Sequence, residues 1–108
     1  MKLADLFTIL NGMQGFVGKV VYNAWEEGKA PRLPFICYRE TQSNNFYADD
    51  KVYQRIQYID IELYSKLKDS ESEELIEETL NNNNLAWEKT ETYLYDEKCF
   101  QIIYEISI

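Results

Sequence analysis

The stretch Tyr58-Ile59-Asp60-Ile61-Glu62-Leu63-Tyr64 constrains the fold more than any other part of the chain. Ile59, Ile61 and Leu63 fall on one side of an extended strand, and Tyr58, Asp60, Glu62 and Tyr64 fall on the other. Successive strand side chains point to opposite faces, so this pattern belongs to a sheet with one buried and one wetter face. The same alternation returns near the C-terminus. Phe100, Ile102, Tyr104, Ile106 and Ile108 take one side, and Gln101, Glu105 and Ser107 the other. Strands of this kind favour an antiparallel sheet, and something amphipathic must cover its apolar face.

Two segments supply the cover. Leu3, Leu6, Phe7 and Leu10 follow helical spacing, and Asn11-Gly12 stops them, so a helix is predicted over 3–11. Ser70 with Glu73 matches a capping box, followed by Leu75, Ile76 and Leu80, and the Asn81–Asn84 run ends this second helix. Further strands are expected at 19–25, 35–38, 52–65, 85–93 and 98–108, with Pro34 at a strand start. The polar segment 41–51 reads as a hairpin tip or extended arm. The prediction is one α+β domain spanning 1–108, in the order αββ(β)βαββ, with an antiparallel (mixed) sheet and both helices on one face. A chain of 108 residues has room for a single core.

Composition narrows the chemistry. The chain has no histidine, which removes Ser-His-Asp and Cys-His catalysis and His-ligated zinc. The net charge of −8 argues against a basic groove for nucleic-acid phosphates. No apolar h-region opens the N-terminus and no apolar run reaches membrane-span length, so no membrane association is expected. Cys37 and Cys99 both fall in apolar strand-like stretches and read as buried, reduced thiols of a protein made in a cytoplasm. No enzymatic activity, cofactor or metal is expected.

Several segments invite sharper readings. Gly12-Met13-Gln14-Gly15-Phe16-Val17-Gly18-Lys19 has a phosphate-loop flavour, but its spacing is off by one and Val20 stands where a Ser or Thr would hold magnesium, so a flexible turn is expected. Gly12–Gly15 also fits a GxxG clamp, against which the acidity speaks. Asp60 and Glu62, with Lys66 beyond, could serve a metal-dependent nuclease; charged residues on the open face of a strand account for them without catalysis. Nine Tyr exceed what a small core needs and suit a subunit interface as well as cross-strand pairs. Asn44, Asn45, Phe46, Tyr47, Asp49 and Asp50 place two adjacent aromatics in a polar arm, a candidate contact for a partner.

Read together, Leu33-Pro34-Phe35-Ile36-Cys37-Tyr38, Asn44-Asn45-Phe46-Tyr47-Ala48-Asp49, Ile59-Asp60-Ile61-Glu62-Leu63-Tyr64, Trp87-Glu88-Lys89-Thr90-Glu91 and Ile102-Ile103-Tyr104-Glu105 resemble a family of small tailed-phage proteins. These are the tail terminators, or tail-completion proteins, of phages and prophages of Gram-positive bacteria. The resemblance runs from about residue 3 to the C-terminus. It implies an α+β subunit of a hexameric virion ring that caps the tail tube and docks to the head connector or stopper protein. It implies no catalytic residue. Its expected partners are further copies of itself, the tube protein and the connector, with DNA only passing through the lumen. The face carrying Tyr58, Asp60, Glu62 and Tyr64 is then a candidate lumen or outer sheet face, since a negative bore repels phosphates. Two alternatives stand beside it: a head-completion or connector ring protein of the same neck, and an acidic decoy that mimics DNA.

Overall fold

A computed structural model describes residues 1–48 and 51–108, and for 44–48 and 51–55 it describes the backbone alone. The elements run α1 (Leu3–Asn11), β1 (Val20–Tyr22), β2 (Phe35–Ala48), β3 (Lys51–Ser65), α2 (Ser70–Asn82), β4 (Glu88–Leu94) and β5 (Cys99–Ser107). The strands form one five-stranded sheet in the order β1-β2-β3-β5-β4. The α+β class and the placement of both helices on one face agree with the sequence reading. Among the described residues no helix is long and apolar enough to cross a membrane.

The core follows from the period-two pattern. Ile59, Ile61 and Leu63 of β3, Ile102, Tyr104 and Ile106 of β5, and Ile36 and Tyr38 of β2 turn to the same side. Leu6 and Leu10 of α1 and Ile76 and Leu80 of α2 close over them, all four fully buried. Burying each aliphatic side chain is worth about 1.5–3 kcal/mol, so this single layer is the principal source of stability. Tyr104 also lies at the centre of this layer. Trp87 packs edge-on against its ring at 5.5 Å, and its hydroxyl donates to Glu77 Oε2 at 2.7 Å.

Both helix termini are set by identifiable groups. The Asp5 carboxylate accepts from the Lys2 backbone N–H at 2.9 Å, closing the first turn of α1. The start of α2 departs from expectation: the cap is Asp69, not Ser70. Its side chain accepts from Ser72 N at 3.1 Å and Ser72 Oγ at 2.7 Å. Glu73 is thereby released from capping and points into the fold. The asparagine run ends α2 as expected, with Asn84 in the left-handed region (φ 57°) and Leu85 N–H reaching back to Leu80 O.

Two other expectations need correction, and a third is made specific. The sheet is mixed, as expected, because β1 pairs with β2 in parallel, Val20 opposite Ile36 through Tyr22 opposite Tyr38. The loop 23–34 supplies the crossover of about a dozen residues that a parallel pair requires. β1 is also short: Asn23 adopts φ 68° and leaves the strand, so Trp25 lies outside it. The glycine segment is folded rather than a flexible turn. Met13 and Phe16 are buried in the core, and the N–H groups of Met13, Phe16 and Lys19 close successive turns.

The segment expected as an arm is largely strand. β2 and β3 pair antiparallel from Phe35 opposite Tyr64 to Ala48 opposite Lys51, with register shifts at 40/42 and 46/47. Asp49 and Asp50 lie outside the described residues. On its other side β3 meets β5 only from Tyr58 to Ser65, with Gln57 joined to Ile108 by backbone bonds. Beyond Ser43 and Gln57 the hairpin continues as a two-stranded ribbon, with no third strand among the described residues. The principal-axis extents of 50 × 28 × 23 Å fit a strand of 15 residues, about 50 Å long at 3.3 Å per residue.

Candidate interaction surfaces

The face of the sheet away from the helices carries Tyr58, Asp60, Glu62 and Tyr64 on β3, and the structure adds residues the sequence did not connect to them. Register places Asp60 opposite Arg39 on β2 and opposite Glu105 on β5, and Glu105 opposite Glu88 on β4. One cation and three carboxylates thus form a row across four strands spaced about 4.8 Å apart. Arg39 reaches along β3 as well as across it: its Nη2 lies 3.9 Å from Asp60 Oδ2, and its Nε donates to Glu62 Oε2 at 3.3 Å.

Glu62 is 7% exposed, although it lies on the face away from both helices. Its other carboxylate oxygen accepts from the Tyr64 hydroxyl at 2.8 Å, and Gln101 Nε2 donates to that hydroxyl at 2.9 Å. A buried carboxylate holding a guanidinium and a phenol at its two oxygens is a satisfied structural group. Asp60 is less well provided. Burial pushes its carboxyl above the ordinary range; Arg39 opposes that, while Glu105 and Glu62 add to it. Burial also raises the Tyr64 phenol.

The other end of this face is apolar. The loop 23–34 folds back so that Trp25 meets Phe35 edge-on at 6.0 Å, and Phe35 meets Tyr64 at 5.3 Å. Leu33, Cys37 and Cys99 share with them an open groove of about 600 Å³. Both cysteines are buried and unpaired, as the sequence suggested. Burial, then the nearby Glu62 charge, push the Cys37 thiol up to about 11, so at neutral pH it is an unreactive packing group.

On the helix side, charges are tied into pairs. Glu73 is buried between two lysines, with Lys68 Nζ 2.7 Å from Oε2 and Lys89 Nζ 3.1 Å from Oε1. Lys89 also reaches Glu77 at 2.9 Å, and Lys68 reaches Glu91. Burial acts to raise the Glu77 carboxyl, but the Lys89 and Tyr104 hydrogen bonds outweigh it and hold the group below its ordinary value. This network ties α2 to β4 and β5.

The chemical alternatives fare as follows. Among the described residues no group of three or more His, Cys, Asp or Glu is arranged to hold a metal ion. Asp60 and Glu62 point to the same face, but their partners are Arg39 and Tyr64, and Lys66 is exposed beyond the strand end. In the glycine segment the Gly18 N–H is taken by Asn11 Oδ1 at 2.9 Å and the Lys19 N–H by Phe16 O, so these donors do not face a phosphate. Gln14 and Gly15 border a groove whose other wall holds Glu71, Glu74 and Glu78, a poor setting for a nucleic-acid clamp. Of the arm residues, Asn44, Asn45, Phe46 and Tyr47 fall within β2.

No family model matches the chain, and no curated protein or solved structure matches it.

Proposed function

We propose that this protein is a structural, non-enzymatic subunit of a tailed-phage or prophage neck, one of a ring of copies, six in the preferred reading, that terminates the tail tube and joins it to the head. One observation carries the reading: the β2–β3 hairpin stays paired to Ala48 and Lys51, well past Tyr58, where the pairing of β3 with β5 stops. A two-stranded ribbon alone is marginal in water, so such an extension makes sense where another polypeptide completes it. The acidic row Asp60, Glu105 and Glu88 supports the second half of the reading. Placed towards a bore, it would repel DNA phosphates and let the duplex slide. The neighbouring role, a head-completion or connector ring, uses the same surfaces.

The test replaces residues 44–56 by Asn-Gly, which closes the hairpin between Ser43 and Gln57. The full chain is expected to form a ring by light scattering, alone at high concentration or with isolated tail tubes. The shortened chain is expected to remain folded and monomeric. Phage particles lacking the protein separate the two neck roles: overlong or unjoined tails indicate a terminator, and heads that leak DNA indicate a connector. A full-length chain that stays monomeric with tubes and connectors present, and instead displaces DNA from a host protein, would overturn the proposal in favour of the decoy.

A further inference from the structure

Both edges of the sheet are open over part of their length, and they are different strands. At one end β4 is bonded to β5 on one side only, from Glu88 to Leu94. At the other end β1 covers β2 only over Ile36–Tyr38, and the Tyr22 hydroxyl takes the Glu40 N–H at 3.2 Å. From Gln42 onward β2 is paired with β3 alone. Open strand edges present N–H and C=O groups at regular spacing and accept a further strand unless something guards them.

Neither edge has a proline or a register break within the stretch that would pair, and of the β4 charges Glu88, at its start, is the one not tied to the helix side. β4 contains no proline or glycine and keeps an unbroken register with β5. Its Lys89 is held by Glu73 and Glu77, and its Glu91 by Lys68, so these charges are engaged with the chain's own helix side. Gln42–Phe46 lies between the two register shifts of β2 and carries no charge. For a chain of net charge −8, an uncharged strand is where a second copy approaches at least electrostatic cost.

The geometry points to head-to-tail strand addition between copies: Gln42–Phe46 of one copy extends the sheet of the next along its β4 edge. This deepens the assembly reading and rests on it. The two edges are different patches of one chain, so the contact is heterologous and generates a ring when the rotation closes. Added antiparallel to β4, it also aligns the acidic rows of successive copies on one side of a continuous sheet.

Disulfide trapping tests it. The full chain carries Thr92→Cys together with one of Gln42→Cys, Ser43→Cys, Asn44→Cys or Asn45→Cys, and is oxidised at high protein concentration. The wild type, whose two buried thiols remain, is the background control. One register is expected to trap a ladder in multiples of 12.9 kDa. A separate Thr90→Lys/Thr92→Lys variant, which guards the edge, should lose the assembly while keeping its far-ultraviolet spectrum and melting point. Rings by light scattering with no pair trapped would overturn strand addition and leave the ring reading standing. Trapped species that stop at the dimer would keep strand addition and remove the ring. Neither rings nor trapped species would remove both.

Discussion

On the helix side of the sheet, Ile61 and Leu63 are sealed under α1 and α2, and each nearby carboxylate meets a lysine brought from another element. On the opposite side of the same strand, Asp60 and Glu62 share one arginine, with Glu105 and Glu88 following in the row without a cation between them. The first face is finished by the chain itself. The second is half finished, with an apolar end under Trp25 and an acidic end that no element covers among the described residues. A sheet only needs one face buried to fold, so the residues of the other face are free to serve a contact or a passage.

The largest test of this contrast is truncation on each face. Ile61→Ala should cost about 2–5 kcal/mol, because the site lies under both helices and cannot collapse. Ile103→Ala, on the half-buried opposite face, should cost about 1 kcal/mol, read by urea unfolding. Equal losses would mean that the second face is also core.

Acid response sharpens the contrast. Glu77 has a lowered carboxyl pKa in the folded state, so its stabilising contribution is present above the ordinary carboxylate range and is lost as pH falls through the lowered value. Glu77→Gln should therefore lower stability at pH 7 by about 1 kcal/mol. The deficit should shrink in acid. Asp60 has a raised carboxyl pKa, so its ionisation costs stability as pH rises from the ordinary value through the raised one. Asp60→Asn should be neutral or stabilising at pH 7, and any gain should vanish in acid. Denaturation curves at several pH values decide both, and same-sign slopes for the two variants would break the comparison.

Smaller still is Arg39→Ala. The guanidinium is about half exposed, so the loss should be about 0.5–1 kcal/mol, with Glu62 still held by Tyr64. The smallest effect is expected from shortening the ribbon to Asn-Gly: a change in monomer stability under about 1 kcal/mol, with assembly lost. Global unfolding of the shortened chain would place the ribbon within the folding unit.

Much of this was legible in the residues. The alternation at Tyr58–Tyr64 and Phe100–Ile108 located the central strands and the buried side of each, because period-two burial is written directly in sequence. The helices at 3–11 and 70–82 were legible because their apolar residues recur at helical spacing between recognisable stops. What was hidden is what depends on register. Nothing in the local pattern says that Arg39 meets Asp60 and Glu62, or that Lys68 and Lys89 converge on Glu73 across an element boundary. The parallel β1–β2 pair was also hidden, since a three-residue strand followed by a loop carries no signal of direction. The Asp69 cap was missed because Ser70 and Glu73 offered an equally good box one residue later. The polar segment was legible as a hairpin tip or extended arm, but how far its pairing runs, to Ala48 opposite Lys51, again depends on register.

The position of β5 has a consequence for biosynthesis. It is the last strand in chain order, yet it lies between β3 and β4. A nascent chain that has already released β4 from the ribosome still lacks the strand that joins it to the rest. Until β5 emerges, the apolar sides of Ile61 and Leu63 have no neighbour across that gap, and the inner edge of β3 is bare. The sheet therefore cannot close until β5 has followed β4 out, which leaves the polypeptide caught between the two, rather than the folded one, as the form most in need of a chaperone.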